Sequence, residues 1–216
     1  MPLRAVLWDL DGTLLESRLS IRETLNHVLH ERGLPPFDAP ELDAWIGHPL
    51  REILATRTQD PAAIEALTHR YRAAYGESGW FTVGIHAGLV DLLRELQRRG
   101  VRNGIVTSKG QRESEVLLRD LGLADLFQAV VGDDDVRPLK PAADPALECC
   151  ELLYTQPAEA AFIGDTLFDV RCAKAAGCFA VGVLWGMGSE ASLRENGADA
   201  LVKDAAALKR VLAKLA

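Results

Sequence analysis

Trp8-Asp9-Leu10-Asp11-Gly12-Thr13-Leu14-Leu15 continues a short apolar run, Ala5-Val6-Leu7-Trp8. That run is bounded by a turn signal and reads as a buried strand of a parallel sheet. Two carboxylates therefore stand at a strand's exit. Alternate residues of a strand share a face, so Asp9 and Asp11 start on the same side as long as the strand geometry persists. Asp11-Gly12 then turns the chain. A plain polar strand exit looks the same at this range, so the choice between a turn and a site falls to the rest of the sequence.

Downstream the character changes. From Ser20 to Arg32 the apolar residues Ile21, Leu25, Val28 and Leu29 recur at helical spacing until Gly33-Leu34-Pro35-Pro36 stops the pattern. Further helical stretches are expected at Pro40 to Ile46, Leu50 to Thr56 and Pro61 to Tyr75, closed by Gly76 and Gly79. No strand pattern interrupts them, so residues 16–84 read as an all-helical unit inserted into a second domain made of residues 1–15 and 85–216. In that second part helices and strands alternate. Helices Leu89 to Arg99, Arg112 to Leu121 and Ala146 to Tyr154, then one ending at Ala176, are interleaved with strands Val101 to Val106, Ala129 to Val131, Ala160 to Ile163 and Phe179 to Leu184. A helix near Ala191, the strand Ala200 to Val202 and a terminal helix complete the chain. Such alternation predicts an α/β fold with a doubly wound, Rossmann-like parallel sheet.

Composition sets limits on the partners. With 216 residues, 48% hydrophobic, the chain can bury a substantial core. The formal charge of −7 comes without a basic block, so the footprint of a nucleic-acid binder is missing. A phosphate-bearing ligand would need a local cation, from a metal or from a few Lys and Arg. Behind Met1-Pro2-Leu3-Arg4, Asp9 and Asp11 interrupt any signal-peptide apolar segment, and the Gly-rich uncharged stretch Gly177–Gly188 is shorter than the about 20 apolar residues a membrane helix needs. The expectation is a cytoplasmic protein with no membrane partner. Cys149, Cys150, Cys172 and Cys178 lack CxxC spacing and read as buried reduced thiols.

Ligands of open parallel sheets bind outside the carboxyl ends of the strands, where the winding reverses. Here three strands end in polar residues: Asp9 and Asp11, then Thr107 and Ser108, then Asp165 with Asp169. Lys140, in the loop after Val131, is within reach of the same edge. Several carboxylates in one place repel one another unless a cation neutralises them, and hard oxygen ligands suit Mg²⁺. Mg²⁺ takes few carboxylates directly, which favours Asp9 and Asp165 as ligands, with Asp169 behind them. Lys140 supplies a point charge for a phosphate, and Thr107 and Ser108 supply donors for its oxygens. The set asks for phosphoryl transfer to Asp9, with Asp11 as acid and then base.

The sequence resembles the haloacid dehalogenase-like superfamily, and within it is similar to the phosphoglycolate phosphatase-like group. The matching pieces are Asp9-Leu10-Asp11-Gly12-Thr13-Leu14, Val106-Thr107-Ser108-Lys109, Lys140-Pro141 and Gly164-Asp165-Thr166-Leu167-Phe168-Asp169. Four such pieces in this order are far more specific than any one alone. The resemblance implies a haloacid dehalogenase-like catalytic core with an inserted helical cap at 16–84. It further implies Asp9 as nucleophile, Asp11 as acid and base, Thr107 and Lys140 as phosphate ligands, and Mg²⁺ on Asp9, the Asp11 carbonyl and Asp165 with Asp169 in support. Relatives often have Pro where this chain has Ala143, which removes no functional group.

The substrate implied is a small phosphorylated metabolite, with 2-phosphoglycolate as the best match. A pyrophosphatase or a sugar-phosphate phosphatase on the same core is the nearest alternative. Among relatives mutases tend to carry Val where this chain has Thr13, and dehalogenases lack an acid at Asp11. A non-catalytic phosphate-binding regulator would usually lose Asp9, Asp11, Lys140 or Asp165, all of which are present. In the cap, His27 and His30 have helical spacing but no third ligand, so they read as helix surface. His48 and Arg51, in the turn Ile46-Gly47-His48-Pro49-Leu50-Arg51, are candidate substrate contacts because loop tips often carry function. Gly186-Met187-Gly188 reads as a turn after the last long strand and not as a phosphate loop. The chain is expected to be a monomer or a homodimer, since no stretch demands either.

Overall fold

The computed structural model describes residues 2–78 and 83–215. The opening apolar run forms β1 (Ala5–Trp8), with all its residues buried. Two short strands, β2 (Leu15–Glu16) and β3 (Gly84–Ile85), pair with each other where the chain leaves and rejoins the α/β part. The later strands are β4 (Arg102–Val106), β5 (Ala129–Val131), β6 (Ala160–Gly164), β7 (Phe179–Val183) and β8 (Ala200–Val202). Six strands make one sheet in the order β5-β4-β1-β6-β7-β8, each pairing parallel. This is the expected α/β architecture, with β1 central and the chain winding outward in opposite directions on its two sides.

The chain divides into two compact units, Met1–Leu15 with Ile85–Ala216, and Glu16–Gly84. In the first, the helices are α5 (Leu89–Arg98), α6 (Gln111–Asp120), α7 (Asp144–Leu152), α8 (Leu167–Ala176), α9 (Glu190–Glu195) and α10 (Ala205–Leu215). Ala5, Leu7, Val106, Val131 and Phe162 share one core with Ala146, Cys149 and Cys150 of α7, Val170, Cys172 and Ala173 of α8 and Leu193 of α9. The alternate residues Val6, Trp8, Ile105 and Ile163 are equally buried, so both faces of the sheet are covered. Each fully buried Leu or Phe of this kind contributes about 1.5–3 kcal/mol. The four cysteines are free and buried, as the sequence suggests. Burial raises the Cys149 thiol and pushes Cys172 up to about 12, which makes both inert packing groups.

The second unit holds α1 (Arg18–Glu31), α2 (Ala39–Asp43), α3 (Leu50–Ala55) and α4 (Pro61–Ser78). Ile21, Leu25, Val28 and Leu29, the stripe read from the sequence, are all buried, together with Leu42, Leu54, Leu67, Tyr71 and Tyr75. Asp38 caps α2 by accepting from the Glu41 N–H at 2.8 Å, with Pro40 in the first turn where its missing N–H costs nothing. The Asn26 amide clamps the backbone of Phe37 through both its N–H and its carbonyl, each at 2.8 Å. Gly76 does not end α4, which runs on to Ser78; the turn expected at Gly79 lies outside the described residues.

Candidate active site

Strand register brings the site together. Trp8 is level with Ile105 on one side and Ile163 on the other. Asp9 follows Trp8 directly, while Thr107 and Asp165 each come two residues after those partners. All three therefore emerge at the carboxyl edge of adjacent central strands, where the winding reverses. Asp9 is tied to the edge by its own N–H, which donates to the Ile163 carbonyl at 2.9 Å.

Lys140 reaches this edge from the loop between β5 and α7. Its ammonium donates to Asp9 Oδ1 at 2.7 Å, to Asp169 Oδ1 at 2.7 Å and to the Val106 carbonyl at 3.2 Å. Asp169 stands in the first turn of α8, where its other oxygen accepts from the Thr166 N–H at 2.9 Å and the Thr166 hydroxyl at 2.7 Å. A capping arrangement thus doubles as the holder of Lys140. Asp9, Asp165 and Asp169 each offer an oxygen within 4.8 Å of the others, and all three are buried.

Burial raises Asp9 well above the ordinary carboxylate range; Lys140 opposes this, while Asp169 and Asp165 add to it. Asp165 is pushed up to about 7 by burial and then by the Asp169 charge, against the Met187 N–H, Thr13 and Lys140. Burial alone would lower Lys140, but the two carboxylates it touches outweigh that and hold it charged. Lys140 pairs with two of the three clustered carboxylates, Asp9 and Asp169, so the fully ionised set carries two formal negative charges in excess in a buried place. An all-oxygen set with that deficit fits a hard divalent cation.

Asp11 lies beside a second cation that the sequence reading passed over. Lys109 is buried, with its ammonium 3.3 Å from Asp11 Oδ2 and 3.6 Å from Glu113 Oε1. The other Asp11 oxygen is buried with no hydrogen-bond partner among the described residues. Thr107 is buried and its hydroxyl accepts from the Lys109 N–H at 3.2 Å, while Ser108 beside it is half-buried. The i,i+4 spacing of Lys109 and Glu113 was the available signal; it reads as an ordinary helix-surface pair until burial is known. Thr13 was missed as a contact as well: its hydroxyl donates to Asp165 Oδ1 at 3.0 Å.

Asp9, Asp11, Thr107, Lys140, Asp165 and Asp169 thus meet in one unit of the chain. His48 and Arg51 belong to the other. His48 Nδ1 lies 3.0 Å from Glu52 Oε2 with its ring 4.9 Å from that of Trp45, and Arg51 pairs with Glu65. Gly186-Met187-Gly188 turns the chain after β7, as expected, but it also touches the site: the Met187 N–H donates to Asp165 Oδ2 at 2.7 Å.

Among known proteins, the family model for haloacid dehalogenase-like hydrolases matches residues 6–183. A phosphoglycolate phosphatase of Chromobacterium violaceum is 34% identical over 217 residues, covering 95% of each chain. An N-acetylmuramic acid 6-phosphate phosphatase of Pseudomonas putida is 32% identical over 216 residues, covering 98% of this chain and 97% of the relative. A crystal structure described as a predicted phosphatase from Clostridium acetobutylicum matches with a TM-score of 0.89 at 27% identity, covering 99% of this chain and 100% of the other. No helix among the described residues is long and apolar enough to cross a membrane.

Proposed function

The chain belongs to the haloacid dehalogenase-like hydrolases, as a phosphatase of their phosphoglycolate phosphatase-like group, and on that premise we propose that it hydrolyses a small phosphate monoester through a phosphorylated Asp9. The observation that carries this reading is the buried contact of Lys140 with both Asp9 and Asp169 beside Asp165, at the switch point of the sheet. A carboxylate, a fixed ammonium and a set of hard oxygen ligands are the parts that phosphoryl transfer requires.

In the proposed reaction, the Asp9 carboxylate attacks phosphorus in line with the ester oxygen. The P–O bond to Asp9 forms as the bond to the leaving oxygen breaks. Asp11 gives its proton to that oxygen, and the alcohol departs. The Lys140 ammonium and the donors of Thr107 and Ser108 stabilise charge on the nonbridging oxygens, where electrostatic preorganisation has its largest effect. Asp11, now a base, takes a proton from water as the water oxygen bonds to phosphorus. The Asp9–phosphorus bond breaks, releasing inorganic phosphate and restoring the carboxylate. Mg²⁺, held by Asp9, Asp165 and the Asp11 carbonyl with Asp169 in support, would neutralise the phosphate and orient it for attack.

2-Phosphoglycolate is the first substrate proposed, on the strength of the Chromobacterium violaceum relative. A sugar phosphate is the second reading, favoured by the Pseudomonas putida relative of nearly equal identity. Phosphate release with Mg²⁺ across 2-phosphoglycolate, sugar phosphates, nucleotides and pyrophosphate separates them, with Asp9→Asn in parallel. The reading predicts one preferred monoester and a loss of at least about a thousandfold in the variant. Chelation should silence the enzyme and Mg²⁺ restore it. Turnover by Asp9→Asn at a tenth of the wild-type rate would remove Asp9 as nucleophile, and full activity after exhaustive chelation would remove the metal.

A further inference from the structure

The loop after β7 is tied to one carboxylate of the site from several directions. The Met187 N–H holds Asp165 Oδ2 at 2.7 Å, and the Thr13 hydroxyl holds Oδ1 at 3.0 Å. Thr13 is itself fixed by this loop, because the Trp185 indole N–H donates to its carbonyl at 2.9 Å. Space around Asp165 is limited to match. A Cβ at Gly186 would overlap Asp165 Cβ and Oδ2 and lie 2.5 Å from Cγ. At Gly12, where φ is +87° and any other residue is strained, a Cβ would lie 2.5 Å from Asp165 Oδ2. Both oxygens of Asp165 are thus bonded, and two backbone segments close on it from separate parts of the chain.

We propose that Trp185-Gly186-Met187-Gly188, acting together with Thr13, is the positioning device of Asp165. It holds that carboxylate within the acidic cluster, ready for a divalent cation. The inference rests on the metal reading above and extends it to residues that the proposed reaction does not use. The physical need is clear. Asp165 is buried within the acidic cluster beside Asp169, whose charge repels it, so without fixed donors its carboxylate would swing away when no cation is bound. Donors that fix the orientation of a ligand typically control metal affinity as strongly as they control activity. Glycine at 186 permits the approach and the Trp185 indole anchors Thr13, so neither requirement concerns turnover directly.

The test is Mg²⁺ binding to the full chain with no substrate present. It is read by calorimetry and by the Mg²⁺-induced rise in melting temperature, for wild type, Gly186→Ala, Trp185→Phe and Asp165→Asn. Gly186→Ala should weaken Mg²⁺ by about tenfold or more, and Trp185→Phe, which keeps the ring packing and loses the indole N–H, should weaken it in the same direction. If Gly186→Ala does not fold, Trp185→Phe decides: weaker Mg²⁺ binding supports the proposal and wild-type binding overturns it. If Asp165→Asn loses Mg²⁺ while both loop variants bind like wild type, the positioning role fails and the metal reading stands. If Asp165→Asn binds Mg²⁺ like wild type, the metal reading falls and the loop proposal with it.

Discussion

At Asp165, burial and a neighbouring carboxylate both disfavour the charged form. Burial and the neighbouring Asp169 push it from an ordinary value of 3.8 up to about 7 in the absence of an ion. Between those values the folded protein holds a proton on Asp165 that the unfolded chain has already released. Stability contributed by this residue is therefore present at low pH and falls as pH rises through that window. In chelator, the wild-type melting temperature should decline more steeply from about pH 4 to about pH 7 than that of Asp165→Asn, whose side chain does not titrate. Parallel pH profiles for the two proteins would show that Asp165 is ionised throughout. Mg²⁺ requires the carboxylate form, so its apparent affinity for the wild type should drop as pH falls below about 7, and binding should release protons.

At the scale of elements, the same few residues serve both fold and site. The first turn of α8 is held by Asp169, which accepts from Thr166 and also fixes Lys140. Asp169→Ala removes a helix cap and strips a buried ammonium of one of its two carboxylates, so it should cost about 3–5 kcal/mol in a urea melt. A loss below about 0.5 kcal/mol would mean that Asp9 alone satisfies Lys140. Within the helical unit the balance is different. Arg70 pairs with Glu31 through two bonds of 2.7 and 2.8 Å between α1 and α4, yet both groups are partly exposed, where solvent screens the pair and little stability comes from it. Leu25, fully buried, should cost about 2–5 kcal/mol as Leu25→Ala. Equal losses for Arg70→Ala and Leu25→Ala would contradict the view that this unit is held by its apolar stripe.

The same contrast explains what the sequence disclosed. β1, β5 and β8 appear at the residues read from their apolar runs, and the α1 stripe is buried as spaced, because burial is the force that writes those patterns. β2 and β3 were not legible, since two residues carry no period. α7 begins at Asp144, earlier than its apolar pattern, because Pro145 is tolerated in a first turn. The acidic residues and Lys140 of the site were readable from charge at strand ends. The hold on Asp165 was not: its Met187 donor is a backbone N–H, which any residue but proline supplies.

On the scale of the whole molecule, the residues of the proposed chemistry all belong to one unit, Met1–Leu15 with Ile85–Ala216. The chain carries a formal −7, so an anionic substrate would meet net repulsion, which Lys140 and the cation proposed above would overcome locally. Among the described residues the buried acidic cluster of Asp9, Asp165 and Asp169 lies wholly within the first unit, and the helical unit's candidate contacts, His48 and Arg51, pair with Glu52 and Glu65 of their own unit. On the proposed reading, the α/β unit would supply the chemistry and the helical unit would select the substrate. Lys140→Ala should therefore depress turnover of every ester alike, including a small artificial one such as p-nitrophenyl phosphate, because it removes charge stabilisation common to all. His48→Ala and Arg51→Ala should raise KM for the preferred metabolite by about tenfold while leaving kcat on the artificial ester near wild type. The decisive quantity is the ratio of kcat/KM between the two esters. A ratio unmoved by both cap variants would assign selection to the α/β unit itself, and a fall in kcat on the artificial ester would place His48 or Arg51 in the chemistry.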